Sequence, residues 1–187
     1  MIYSKIVDIF KRNKQNIYFR YILSFFCGLI LSIVLNDIPF IADRIEYVIM
    51  SLHLDELLTF LTAGLLRLLG YPTEVTNGQI YIGTSSFYFA YGCLGIRHIA
   101  LFAGFILTYF GSIRNKLIYI VFGCFILIIA NVLRAVLIGI ALYYDPTWFD
   151  FVHYYGSMII LYSTIFILWV VWSKIQILKN KHDAPKR

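Results

Sequence analysis

One cysteine, one histidine and two arginines have side chains suited to acyl-transfer chemistry. Arg97 follows Cys93 by four positions, so both side chains lie on one face of a helix that opens at Cys93. The amino end of that helix and the nearby guanidinium both favour a thiolate over a thiol. His153 can accept or deliver a proton near neutral pH, and Arg134 can stabilise the anionic oxygen formed when a thiolate attacks a carbonyl. Together these residues predict peptide-bond cleavage through a thioester.

Each of the four residues also has a structural interpretation. Cys93 and Arg97 are compatible with packing roles, and His153 with a polar position at the lipid boundary. Arg134 alone would be explained by a structural carboxylate partner. However, the apolar segments 94–110, 117–143 and 154–172 contain neither Asp nor Glu, which removes the simplest such partner.

The remaining cysteines and the neighbouring histidine favour structural roles. Cys27 and Cys124 have no ionisable neighbour at helical spacing, so both are interpreted as packing residues. His98 lies off the face of Cys93 and is interpreted as an interfacial or supporting residue. The three cysteines also lack the short paired spacing of a zinc site, an iron-sulfur site or a disulfide framework. We therefore expect neither a metal nor an organic cofactor.

The elements that position these residues are predicted to be membrane helices. The 187-residue chain is 60% hydrophobic and 14% charged, and its mean hydropathy is +0.78. Segments 17–35, 94–110, 117–143 and 154–172 are long and apolar enough to cross a bilayer. No linker or repeat divides the chain, so residues 1–187 are expected to form a single all-α integral membrane domain.

The distribution of positive charge predicts the orientation in the cytoplasmic (inner) membrane. Twelve of the sixteen basic residues precede or open the first span, lie between the second and third, or follow the fourth. They are Lys5, Lys11, Arg12, Lys14, Arg20, Arg114, Lys116, Lys174, Lys179, Lys181, Lys186 and Arg187. Positive-inside bias puts all three clusters, and both chain ends, in the cytoplasm. The same bias explains the net charge of +6 without nucleic acid, which we exclude as a partner.

Residues 37–92 are then expected to form a module on the outer face. The first span ends on the outer face and the second begins there, so residues 37–92 must cross the membrane an even number of times, most simply zero. Apolar residues at helical spacing over 45–69 predict one amphipathic helix, lying in the interface or entering the bilayer re-entrantly. Alternating residues on either side of Asn77 and Gly78 predict a short β-hairpin just before Cys93. The candidate site therefore faces the extracytoplasmic side.

Three short motifs in this order resemble those of the exosortase and archaeosortase family of membrane transpeptidases. They are CLGIR at residues 93–97, NVLR at 131–134 and HYYG at 153–156. The resemblance extends over roughly residues 89–156 and includes spacing and membrane depth. It implies a thiol transpeptidase at the outer face of the cytoplasmic membrane.

The resemblance also implies residue roles and substrates. Cys93 would be the nucleophile, Arg134 the essential arginine and His153 the third member of the site. The motifs and their neighbours add supporting residues, namely Arg97, Asn131, Gly95 and His98. Substrates of the family are exported, membrane-anchored proteins with a C-terminal sorting signal, made of a recognition motif, a transmembrane helix and a basic tail. The acyl group would pass to a surface acceptor or to water.

Many relatives carry about twice as many spans, so substrate binding here is expected to depend on residues 37–91, on an accessory membrane protein or on oligomerisation. Two other functions remain open at this point. One is a non-catalytic membrane assembly factor that binds the same tails. The other is a small transporter built around Arg97 and Arg134.

Overall fold

The computed structural model describes residues 17–182, most of which lie in helices. The α-helices are α1 (Ile17–Asp37), α2 (Pro39–Ser51), α3 (Leu54–Leu68), α4 (Ile96–Thr108), α5 (Ile113–Tyr144), α6 (Phe149–Phe151) and α7 (Ser163–His182). The strands are β1 (Thr73–Thr76), β2 (Gln79–Ile82) and β3 (Ser85–Tyr88). Short 3₁₀ turns occupy Tyr91–Cys93 and Pro146–Trp148, and π-helical segments at Val152–Gly156 and Met158–Tyr162 connect α6 to α7.

Three helical segments of the described range are long and apolar enough to cross a membrane. They are Tyr18–Asp37, Ile113–Tyr144 and Pro146–Lys179, and α2 with α3 would make a fourth if taken as one bent span. This result confirms the predicted all-α membrane architecture. The basic residues that precede residue 17 or follow residue 182 (Lys5, Lys11, Arg12, Lys14, Lys186 and Arg187) lie outside the described residues.

The span predicted over 94–110 is shorter than expected. α4 has 13 residues, which gives a rise of about 20 Å. The helix cannot begin earlier because Gly95 has a left-handed backbone (φ 83°). Nevertheless α4 runs antiparallel along α1: Ser32 Oγ donates to the Arg97 carbonyl at 3.0 Å, and the Arg20 guanidinium lies 3.3 Å from the centre of the Phe110 ring.

The single amphipathic helix predicted over 45–69 is wrong, because the structure divides this region into α2 and α3. The two helices are bent by 56° relative to each other. The break falls at His53, whose backbone is left-handed (φ 51°). A right-handed helix cannot continue through a residue in this conformation, so the helical hydrogen bonds stop there. A bent pair of this kind is compatible with the re-entrant alternative.

The predicted hairpin is confirmed and belongs to a larger sheet. β1 and β2 pair antiparallel across Asn77 and Gly78, whose φ angles of 50° and 76° suit a two-residue turn. β3 then pairs antiparallel with β2, and the strand order is β1-β2-β3. β3 was not predicted from the sequence.

In the described part of the chain, buried apolar residues form two clusters along α5. The sheet core joins α3, β2 and the carboxyl half of α5, and includes Leu58, Leu66, Ile80, Ile82, Val136 and Ile138. The aromatic core joins α4 and α7, and includes Phe102, Phe105, Tyr109, Trp169 and Trp172. On α5, Leu127 belongs to the aromatic core and Val132 to the sheet core, so Asn131 and Arg134 lie near the boundary between the two.

Candidate active site

Cys93 is held by its own backbone next to α5. It is half-buried at the end of the 3₁₀ turn and lies three residues before α4, so it does not open the helix as predicted. Its carbonyl oxygen accepts hydrogen bonds from Asn131 Nδ2 at 2.8 Å and from an Arg134 terminal nitrogen at 3.5 Å. These two residues therefore fix the position of the thiol from a distant part of the chain.

His153 approaches the thiol from the last membrane segment. Its Nε2 lies 3.5 Å from Cys93 Sγ, within contact distance for a hydrogen bond to sulfur. The imidazole stacks on the Phe149 ring with a centroid distance of 5.3 Å and an interplanar angle of 22°. His153 belongs to the first π-helical segment, a local structure that is frequent at functional sites.

Arg134 is buried beside the thiol, with 5% of its surface exposed. One terminal nitrogen lies 3.9 Å from Cys93 Sγ, and the other donates to Asn131 Oδ1 at 3.2 Å. Its Nε donates to Ser157 Oγ. Within residues 17–182 no carboxylate forms an ion pair with this guanidinium. A buried cation whose partners are all neutral is available to an anion formed at the thiol.

Ser157 is a site residue that the sequence analysis missed. Its hydroxyl accepts the hydrogen bond from Arg134 and donates to the carbonyl oxygen of His153, so it links the Arg134 side chain to the His153 backbone. The sequence signal that could have found it is its position four residues after His153, because a helical serine often donates its hydroxyl to the carbonyl oxygen four residues earlier.

Two of the predicted supporting residues have partners other than the thiol. The Arg97 guanidinium forms an ion pair with Asp37 at the end of α1, where both side chains are about half exposed (53% and 43%). His98 packs edge-on against Tyr162 with ring centroids 5.1 Å apart, and its Nδ1 is buried without a hydrogen-bond partner among the described residues. Gly95 lies against the Asn131 amide, where a Cβ would come within 3.5 Å of Nδ2.

Two cavities meet at the thiol. The larger, about 540 Å³, is lined by β3, by α5 and by the segment from Pro146 to His153. The smaller, about 220 Å³, extends toward His98 and Tyr162. Cys93, Arg134 and His153 line both cavities, so a chain passing from one cavity to the other would cross the thiol.

The turn that supports one wall of the larger cavity is capped by Asp145. Its Oδ1 accepts hydrogen bonds from the Thr147 backbone N–H at 2.9 Å and from the Thr147 hydroxyl at 2.8 Å. These bonds to the charged form lower the pKa of Asp145 below its ordinary value. The carboxylate therefore stabilises the turn at Pro146–Trp148, just before His153.

Comparison with known proteins gives a family match over most of the chain. A family model described as transmembrane exosortase matches residues 18–170, a range that contains Cys93, Asn131, Arg134, His153 and Ser157. No curated protein and no solved structure matches the chain.

Proposed function

The chain belongs to the transmembrane exosortase family, and from this premise we propose that it is a cysteine transpeptidase for C-terminal sorting signals. Its substrates are exported proteins held in the membrane by a C-terminal helix with a basic tail. The observation that carries the proposal is the meeting of a thiol, an imidazole and a buried arginine that come from three separate segments of the chain.

The first chemical step forms an acyl-enzyme. His153 Nε2 takes the proton of the Cys93 thiol, and the sulfur attacks the carbonyl carbon of the scissile peptide bond. As the carbon-sulfur bond forms, the carbonyl electron pair moves to oxygen. The Arg134 guanidinium, which lacks a carboxylate partner in the described structure, stabilises that oxyanion.

The second step releases the membrane anchor and transfers the exported part. The oxyanion collapses, the carbon-nitrogen bond breaks, and the imidazolium of His153 gives its proton to the leaving amine. The exported part of the substrate then remains on Cys93 as a thioester. A nucleophile of a surface acceptor then attacks the thioester carbonyl and gives its proton to His153. The carbon-sulfur bond breaks, and the departing sulfur takes the proton from His153, which restores the thiol.

We place this chemistry at the extracytoplasmic face of the cytoplasmic membrane. The basic clusters at the chain ends and after α4 support this orientation through the positive-inside bias. The carboxyl half of α5, which carries Arg134, then lies in the outer leaflet together with the sheet. Reaction of Cys93 with a membrane-impermeant maleimide in intact cells tests this placement, and reaction only after permeabilisation would contradict it.

Replacement of the thiol tests the function itself. In cells that express an exported protein with a C-terminal apolar segment and basic tail, Cys93→Ala should abolish removal of that tail, whereas Cys124→Ala should leave it unchanged. Cys124 is a suitable control because its thiol lies on α5 outside both cavities of the site. The measurement is a mass spectrum of the mature carboxyl terminus of the substrate.

A correctly inserted Cys93→Ala protein that still supports tail removal would contradict the catalytic proposal. If that variant fully restored the function of cells that lack the protein, a non-catalytic assembly factor would be favoured instead.

A further inference from the structure

β3 has a free edge that leads to the candidate site. Within residues 17–182, β3 pairs only with β2, because it is the last strand in the order β1-β2-β3. A two-residue turn joins Ile82 to Ser85, so the Ser85 N–H points toward β2. Antiparallel pairing alternates from residue to residue, and the N–H and C=O groups of Ser86 and Tyr88 therefore point to the free edge.

The larger cavity follows this edge. Five consecutive residues from Ser86 to Ala90 line it. Successive side chains of an extended chain point to opposite faces, so a cavity that meets all five must run along the backbone edge. Pro146 and Phe149 line the cavity from the segment after α5, and Cys93 also lines it.

The walls beside the edge suit apolar side chains. Phe87 and Phe89 line the cavity from the strand side, and Ile138 and Leu142 line it from α5. At about 3.3 Å per residue, the edge from Ser86 to Ala90 accommodates about five residues of an extended partner. Cys93, Arg134 and His153 line the same cavity.

We infer that the substrate segment ending in the scissile carbonyl binds as an added strand on the free edge of β3. This inference rests on the proposed function and names the way in which the substrate is held. The chain runs from β3 toward Cys93, so a segment whose carboxyl end reaches the thiol lies parallel to β3. Its backbone pairs with Ser86 and Tyr88, and its alternate side chains enter the apolar part of the cavity.

A peptide that alkylates the thiol tests this pairing without knowledge of the natural signal. Acetyl-Leu-Val-Leu-Ala chloromethyl ketone is reacted with the purified full-length protein, and modification of Cys93 is followed by mass spectrometry. Two further peptides carry N-methyl groups on alternate amides, one on both leucines and the other on valine and alanine. When an extended peptide pairs with one strand edge, only every second amide of the peptide faces that edge. One of the two methylated peptides should therefore lose hydrogen bonds to β3, and the other should not.

The two methylated peptides should therefore differ in rate by about threefold to tenfold, the effect of losing one or two backbone hydrogen bonds. Equal rates for the two would overturn the inference. This comparison uses the unaltered protein and does not depend on the folding of any variant.

Proline in the strand provides an independent test. Ser86→Pro removes an outward N–H, and should slow the reaction with the unmethylated peptide by a similar factor while leaving the reaction with iodoacetamide unchanged. Val75→Pro is the matched control, because Val75 occupies the equivalent outward position on β1, the opposite edge of the sheet. A peptide rate unaffected by Ser86→Pro would contradict the pairing.

Reaction with iodoacetamide distinguishes failure of the strand-addition inference from failure of the proposed function. It needs no pairing, so rapid alkylation of Cys93 together with equal rates for the methylated peptides would overturn only the strand-addition inference. If Cys93 reacted with iodoacetamide no faster than Cys124, the proposed nucleophilic role of Cys93 would fail.

Discussion

The sheet core and the aromatic core pack different elements against α5, and they do so by different means. In the aromatic core, Phe105 stacks on Trp169 with centroids 4.5 Å apart, and Gly28 and Gly104 let α1 and α4 approach closely. Where the sheet core borders the site, buried polar groups such as Asn131 and Arg134 hold the chain by hydrogen bonds. Apolar packing secures the helix pair, whereas directional polar contacts set the geometry around the thiol.

The largest expected effect comes from changing the buried arginine at the site. Arg134→Lys keeps the charge but has one nitrogen, which cannot reach Ser157, Asn131 and the Cys93 carbonyl together. We expect the rate of acyl-enzyme formation to fall by about 10²-fold to 10³-fold, the loss seen when one oxyanion donor is removed. The rate is measured by following the formation of the acyl-enzyme on Cys93 by mass spectrometry.

Arg67→Lys is the control for that change. Arg67 Nε donates to the Thr73 carbonyl at 2.9 Å in the sheet region, away from both cavities of the site. A rate for Arg134→Lys within threefold of the original would show that the guanidinium does not stabilise the oxyanion.

An intermediate effect is expected where α1 and α4 meet. In Gly104→Ala the new methyl group would lie 2.7 Å from Gly28 Cα, so the backbones must separate. We expect a loss of about 1–3 kcal/mol in stability, typical of overpacking, with little change in the reaction rate per folded molecule. Size-exclusion chromatography after heating in detergent measures the loss.

Gly64→Ala is the matched control, because a methyl group at this exposed helical position in α3 meets no atom within 4 Å. It should be neutral or stabilising, by up to about 1 kcal/mol. If both variants melted at the same temperature, close packing of α1 on α4 would not be a source of stability.

The smallest effect is expected from the second membrane arginine. Asp37→Asn removes the ion pair with Arg97, whose partners are about half exposed, and should change stability by less than about 1 kcal/mol. The acylation rate should stay within about twofold. A tenfold lower rate would instead connect Arg97 to the chemistry, as the first interpretation of its spacing from Cys93 suggested.

Much of the frame could be predicted because its causes are local. Apolar segments long enough to cross a bilayer need internal backbone hydrogen bonding, which gives helices at the predicted places. The Asn77-Gly78 turn likewise depends on residues that tolerate positive φ, and the hairpin follows from them.

The features that were missed or wrongly predicted have another cause, because no local residue pattern indicates them. β3 has two serines and no strict apolar alternation, so its strand conformation depends on pairing with β2. The break at His53 lies inside a continuous helical pattern and has no Pro or Gly to signal it. Arg97 has the spacing to share a face with Cys93, but Asp37, sixty residues away, forms an ion pair with it.

The sequence by itself determined the membrane helices and the residue types able to cleave a peptide bond, because hydropathy, charge and side-chain chemistry belong to each residue. Only the tertiary structure decided which groups meet. Cys93 and His153 are sixty residues apart, yet they lie within 3.5 Å because α5 holds both neighbouring segments. The contacts that link Arg134 to Cys93 and Ser157, like the cavity beside β3, depend on helix packing, which no local pattern specifies.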